Sequence, residues 1–231
     1  MRSSTWRALG NSYRVVEAEK SLSPERAREL AAGVDGVLEI VSAEGGAVAI
    51  VIWNPDGTRA ELSGNGTRIA AAWQAERTGA REIRVVVGER EVRARVLEGG
   101  EIEQDLGLVE VGEPEEVDGV RFVAVSVGNP HAVVLGDPAQ VLTIGPLLET
   151  HPRFPNRTNV QVARIDGPGE VTARVWERGV GETQSSGTSA VAVGAATHGE
   201  GEVLVHFPGG DLLVRLSAGH ATLVGPVERI D

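Results

Sequence analysis

Cysteine is absent from all 231 residues. Disulfides, thiolate metal sites and thiol catalysis are excluded with it. No apolar run approaches the roughly 18 residues that span a bilayer. The opening stretch, Met1 to Gly10, has no apolar core of the kind a signal peptide carries. The expectation is a cytoplasmic protein with no membrane partner. Basic residues are also in short supply, 22 against 33 acidic ones, for a net charge of −11. With no basic stripe either, a nucleic-acid partner is not expected. The five histidines, His131, His151, His198, His206 and His220, show no paired ligand spacing, so neither a metal nor an organic cofactor is expected. Hydrophobic content of 41% and charged content of 24% are those of an ordinary globular chain.

Two stretches stand out. One is Glu61-Leu62-Ser63-Gly64-Asn65-Gly66-Thr67-Arg68, running on into Ala70-Ala71-Ala72. The other is Glu182-Thr183-Gln184-Ser185-Ser186-Gly187-Thr188-Ser189, running on into Ala190-Val191-Ala192. Each sets a Ser-Gly step before an Ala-rich run that reads as the start of a buried helix. Small residues there let a ligand reach the free N–H groups, and the helix dipole favours an anion. Gly10-Asn11 lies 53 residues before Ser63, and Gly128-Asn129 lies 58 before Ser186. With Gly at 30 positions, chance can produce such a pair. The shared order and nearly equal offset favour a tandem duplication.

The coarse pattern agrees. Strands are expected at Tyr13–Glu19, Val37–Ser42 and Ala47–Trp53 from their β-branched content. Ser23-Pro24-Glu25-Arg26 opens a short helix to about Ala32. Asn54-Pro55-Asp56-Gly57 is a turn, and the first Ala-rich helix runs to about Thr78. Further strands are expected at Ile83–Val87, Glu91–Leu97 and Ile102–Val111. Acidic Glu113 to Asp118, with Pro114, reads as a linker.

The second half repeats the theme. Strands are expected at Val120–Ser126, Ala132–Leu135, Thr158–Ile165, Val171–Trp176, Val203–Phe207, Leu212–Leu216 and Ala221–Val224. Helices are expected over Pro138–Glu149 and Gly187–Thr197. The predicted domains are residues 1–112, with the tail 225–231 as an optional addition, and 113–224. The fold class is α+β, two pseudo-symmetric domains. A sheet wrapped round a central helix fits each half. An open sandwich with the helix on one face is the alternative, and periodicity does not separate the two.

The polar residues near the helix starts are Asn11, Asn54, Ser63 and Asn65 in the first half. In the second they are Asn129, His131, Asn159, Glu177, Arg178, Glu182 and Ser186. If the halves face each other, these converge. Two helix starts would hold a carboxylate, and Arg178 a second anion by its fork. Singly, each has a plainer use. Ser63 and Ser186 suit helix caps, Asn54 its turn, and Asn159 a strand end. His131 suits a turn, and Glu177 with Arg178 a surface ion pair. Their duplicated setting favours the functional use.

These residues resemble the diaminopimelate epimerase family nearly end to end. The likeness lies in Leu9-Gly10-Asn11-Ser12-Tyr13, Trp53-Asn54-Pro55-Asp56-Gly57, Gly128-Asn129-Pro130-His131, Arg157-Thr158-Asn159-Val160 and Trp176-Glu177-Arg178-Gly179-Val180-Gly181-Glu182-Thr183. The last stretch is the most specific. The resemblance implies two pseudo-symmetric domains, each a β-barrel-like sheet around a central helix. It implies a homodimer acting on a small diamino-dicarboxylate, without pyridoxal phosphate.

The resemblance also assigns roles. Family members move the α-proton with two cysteines, whose positions here are Ser63 and Ser186. His131, beside Ser63, and Glu177, beside Ser186, match the helpers. Backbone at Asn65, Gly66, Gly187 and Thr188 matches the α-carboxylate cradle. Asn54, Asn129, Asn159 and Arg178 match the distal grip, with Asn11 a further contact.

The departures are chemical. A thiol has a pKa of about 8.5, and an alcohol lies toward the ~15.7 of water, a gap of at least about five units or roughly 7 kcal/mol. Position 12 is serine where aspartate is usual, and the segment before Asp35-Gly36 looks shortened. Three readings follow: a diaminopimelate epimerase slowed by its serines, a same-fold lyase or racemase for another amino acid, or a non-catalytic amino-acid binder.

Overall fold

The computed structural model describes Met1–Asp231. Contacts divide the chain into two compact units, Met1–Asp105 with Val224–Asp231, and Leu106–Leu223.

The first unit opens with β1 (Arg2–Ala8) and β2 (Asn11–Glu17), an antiparallel pair in register from Arg2↔Glu17 to Ala8↔Asn11. Its two-residue turn has φ 49° at Leu9 and 78° at Gly10, as the right-handed strand twist requires. Then follow α1 (Pro24–Leu30), β3 (Gly36–Glu44), β4 (Ala47–Trp53), β5 (Arg59–Ala60), α2 (Gly64–Thr78), β6 (Glu82–Val87), β7 (Arg90–Val96) and the start of β8 (Ile102–Leu108). Pairing alternates: β2/β3 parallel, β3/β4 antiparallel, β4/β6 parallel, β6/β7 antiparallel.

The second unit contains β9 (Glu110–Val117), β10 (Val120–Ser126), β11 (Pro130–Leu135), α3 (Val141–Glu149), β12 (Asn159–Gly167) and β13 (Glu170–Glu177). It continues with β14 (Gly181–Thr183), α4 (Gly187–Thr197), β15 (Gly201–Phe207), β16 (Gly210–Ser217) and β17 (His220–Gly225). Its pairings repeat the series: β10/β11 antiparallel, β11/β12 parallel, β12/β13 antiparallel, β13/β15 parallel, β15/β16 antiparallel. Short β5 pairs with β4 as β14 pairs with β13. The duplication is therefore one of topology as well as of motif. The last strand, β18 (Glu228–Arg229), pairs with β1 in the first unit.

Each long buried helix sits inside its sheet. α2 packs on β1, β2, β3, β4, β6 and β7, and α4 on β10, β11, β12, β13, β15 and β16. A helix touched on every side has no use for a polar face, which explains the alanines. Ala70, Ala71, Ala190 and Ala192 are all fully buried. At Gly194 even a Cβ would stand 3.3 Å from Val214 Cγ1, so α4 approaches β16 closely. The strands alternate as half-buried strands do: in β15, Val203, Val205 and Phe207 point inward. α1 and α3 cover the outer faces. Ala27 and Leu30 pack with Val16, Val37 and Trp53, and Val141 and Leu148 pack with Phe122, Val160 and Val162.

Two expectations need correction. The acidic segment read as a linker is β9, antiparallel to β10, with Pro114 opposite Val123. Its residues are mostly exposed, the setting in which proline and acidic side chains are tolerated in a strand. Asp118 and Gly119, at φ 49° and 76°, make the hairpin turn that ends it. The strand expected over Ile102–Val111 is two, β8 and β9, parted at Val109.

Candidate active site

Ser63 caps α2. Its backbone is extended, and its Oγ accepts from Gly66 N–H at 3.0 Å. Its carbonyl accepts from Thr67 N–H at 2.8 Å. Buried Gln104 braces the same turn, accepting from Thr67 Oγ1 at 2.9 Å and donating to Gly64 O at 2.8 Å. Gly66 is packed tightly. A Cβ there would stand 3.2 Å from both Leu38 Cδ2 and Ser63 Cβ. In this structure its N–H, expected to hold a carboxylate, is engaged by Ser63 Oγ.

The neighbouring polar groups form a chain. Asn65 Nδ2 donates to Asn11 Oδ1 at 2.9 Å, and Asn65 Oδ1 accepts from Arg68 Nη2 at 2.8 Å. Arg68 is fully buried, and its Nε and Nη1 have no partner. Burial lowers its pKa to about 10, so it stays charged at neutral pH. It thereby fixes which end of the Asn65 amide faces Asn11. Tyr13 Oη lies 3.0 Å from Ser63 Oγ. Ser12, just before it, donates through N–H and Oγ to Asp35 Oδ2 at 2.7 and 3.0 Å. An aspartate at 12 would set two carboxylates against each other here, so serine suits this neighbour. Asn54 is occupied in its own turn, donating to Thr58 Oγ1 at 3.0 Å.

In the second unit Ser186 caps α4 with an extended backbone but makes no side-chain capping bond. Its carbonyl accepts from Ala190 N–H at 3.0 Å. Gly187 and Thr188 form the buried first turn. His131 is buried, with Nε2 3.0 Å from Asn129 Oδ1 and Nδ1 3.0 Å from Gln161 Nε2. Gln161 also donates to Ser189 Oγ at 2.9 Å. Burial lowers the His131 pKa to about 3, with the Gln161 bond opposing and the Arg178 charge adding. The ring is thus neutral across the physiological range.

Asn159 Nδ2 donates to Pro130 O at 3.0 Å, and its Oδ1 accepts from Arg178 N–H at 3.0 Å. It therefore ties β11 to the loop after β13. Arg178 Nη1 reaches Asn156 O at 3.4 Å. Glu177 Oε1 accepts from Thr183 Oγ1 at 2.7 Å. Behind this loop, Glu149 accepts from Arg157, Gly179 N–H and, at 2.8 Å, Trp176 Nε1.

Each unit therefore gathers its own share of the residues singled out in the sequence. Asn11, Ser63, Asn65 and Gly66 meet in one; Asn129, His131 and Asn159, with Arg178, meet in the other. Tyr13, Gln161 and Glu149 were not singled out. Tyr13 closed the Gly10-Asn11 motif, and that was the only available signal. No cluster of three or more His, Asp or Glu side chains is close enough to hold a metal ion, and no helix is long and apolar enough to cross a membrane.

A duplicated sheet, each copy around a buried helix with a small-residue start, defines the fold class of a solved structure described as a predicted epimerase, from Pseudomonas aeruginosa. The two superpose with a TM-score of 0.74 at 17% identity, over 100% of this chain and 97% of that one. Sequence similarity goes further. A diaminopimelate epimerase from Pelotomaculum thermopropionicum is 36% identical over 264 residues, covering 96% of this chain and 94% of the relative. One from Desulforudis audaxviator is 36% identical over 234 residues, covering 88% and 84%. The sequence model of that family, diaminopimelate epimerase, matches residues 123–230. The chain belongs to the diaminopimelate epimerase family.

Proposed function

We propose that this chain binds diaminopimelate and interconverts its L,L and meso forms by proton transfer at the α-carbon. One observation carries the reading: Ser63 and Ser186 cap the two equivalent central helices, at the positions where the family places its cysteines. In this reading each serves one face of the same α-carbon. The α-carboxylate lies on the first-turn backbone at Asn65, Gly66, Gly187 and Thr188. There the helix dipoles stabilise the charge that develops on deprotonation.

Asn11, Asn54, Asn129, Asn159 and Arg178 hold the substrate, the arginine taking the distal carboxylate by its fork. Glu177 assists Ser186. His131, neutral with a pKa of about 3, is a weak base, so its part is to orient by hydrogen bonding. The protein works as a homodimer in the cytoplasm, without cofactor. Serines slow the proton steps relative to thiols but leave the backbone cradle intact.

The test is α-hydrogen exchange in heavy water with L,L- and meso-diaminopimelate, paired with calorimetry. Slow exchange with firm binding supports the reading. Binding without exchange favours an amino-acid binder. Exchange with a different amino acid and none with diaminopimelate favours the diverged racemase.

A further inference from the structure

We propose that Tyr13 is the proton partner of Ser63, a positioning residue that acts through Ser63 Oγ rather than on the substrate. The inference rests on the epimerase reading above and deepens it.

Four observations converge. Tyr13 Oη and Ser63 Oγ are 3.0 Å apart, and either can donate. The ring is held in place, because a Cβ on Gly36 would stand 2.6 Å from Tyr13 Cε1 and 2.9 Å from Trp53 O. Glycine at 36 thus makes the room the ring fills. The Ser12–Asp35 bonds, reinforced by Asp35 N–H to Ser12 O at 2.8 Å, pin the residue just before it.

Finally, Tyr13 stands in β2 where His131 stands in β11. Each lies in the leading strand of a parallel pair, opposite Gly36 and Asn159 respectively. In the second unit Gln161 and Asn129 occupy the ring nitrogens of His131. The Tyr13 hydroxyl instead reaches the capping serine.

The chemistry follows from acidity. An alcohol near ~15.7 is a poor proton carrier, whereas a phenol titrates near ~10. With Tyr13 as phenolate, the α-proton moves to Ser63 Oγ as the serine proton moves to Tyr13 Oη. The C–H electron pair stays on the α-carbon, and the negative charge passes from phenolate to carbanion. A proton from the Ser186 side completes the turnover; the Tyr13 phenol then gives its proton to water and the Ser186 side takes one from water, which restores the starting state. In the reverse direction the phenol feeds Ser63, which protonates the carbon.

The experiment compares wild type and Tyr13→Phe, which keeps the ring against Gly36. Expected are a fall in kcat for epimerisation of about 100-fold, an unchanged diaminopimelate affinity by calorimetry, and loss of the alkaline rise in kcat. In a Ser63→Cys background the same substitution should cost less than about threefold, since a thiol with a pKa near 8.5 carries its own proton.

An equal kcat for wild type and Tyr13→Phe overturns the proposal. So does an inert wild type beside an active Ser63→Cys/Ser186→Cys variant, an outcome that leaves the epimerase reading standing. No turnover by either sinks that reading and the proposal together. Tyr13 is the only tyrosine, so its phenolate absorbance can be titrated in the whole protein. Ser63→Ala should raise the midpoint by removing a bond donated to the phenolate. An unmoved midpoint overturns the proposal independently of activity.

Discussion

Gln161 Nε2 lies 3.0 Å from His131 Nδ1, and that contact sets the tautomer of the histidine. The amide nitrogen can only donate, so Nδ1 accepts and the ring proton sits on Nε2, facing Asn129 Oδ1. Burial, with the Arg178 charge adding and the Gln161 bond opposing, keeps the ring neutral, with a pKa of about 3 against the usual 6.5.

A pH dependence of stability follows. The unfolded chain takes up a proton on His131 below about 6.5, and the native chain does not until about 3. The stabilisation is fully present above pH 6.5 and declines as pH falls toward 3, at about 1.4 kcal/mol per unit. Urea denaturation should show a loss of about 2 kcal/mol between pH 7 and 5 from this group alone. His131→Gln should remove that part of the slope. Identical slopes for the two proteins would mean the ring titrates normally.

Glu149 is the support of the loop that carries Arg178. It is buried, and it takes bonds from Trp176 Nε1, Gly179 N–H and Arg157. Glu39 does the same for Trp53 in the first unit, accepting from its Nε1 at 2.8 Å and from Leu22 N–H at 2.9 Å. Glu149→Ala leaves three donors without their acceptor, two of them backbone or indole groups behind the loop. The expected loss is about 2–4 kcal/mol in denaturant unfolding. A change under about 0.5 kcal/mol would show that water replaces the carboxylate at no cost.

If Arg178 holds the distal carboxylate as proposed, it decides ligand choice. Its N–H is fixed by Asn159 Oδ1, which holds the backbone while the guanidinium extends from it. Arg178→Lys keeps the charge and loses the fork. Calorimetry should show diaminopimelate affinity falling at least about tenfold, against little change for alanine or proline. Equal losses for all three would give Arg178 a structural role.

Much of this was legible in the sequence, and the misses have physical causes. Ser63 and Ser186 stood out because a small-residue helix start before an Ala run is a local pattern. The helix over Gly187–Thr197 and the strand over Ala47–Trp53 match their expected bounds for the same reason. β9 was misread because its edge position tolerates the proline and acids that otherwise signal a linker. Asp118-Gly119 was the hairpin signal that composition overrode.

The roles of Tyr13 and Gln161 were hidden because they depend on contacts 50 and 30 residues away. No local spacing reveals such a partner. Asn54 shows the converse: its turn was readable, and its side chain is used there.

The most direct test of serine as the proton carrier is kcat and Kd for diaminopimelate in wild type, each single cysteine variant and Ser63→Cys/Ser186→Cys. In the proposed site the cradle is backbone and the grip is amide and guanidinium, so Kd should stay within about threefold. kcat should rise by roughly 100-fold or more in the double variant and by less in either single one, because one face of the α-carbon still lacks a thiol. Unchanged or lower kcat in the double variant would contradict the assignment, leaving Ser63 and Ser186 as helix caps and nothing more.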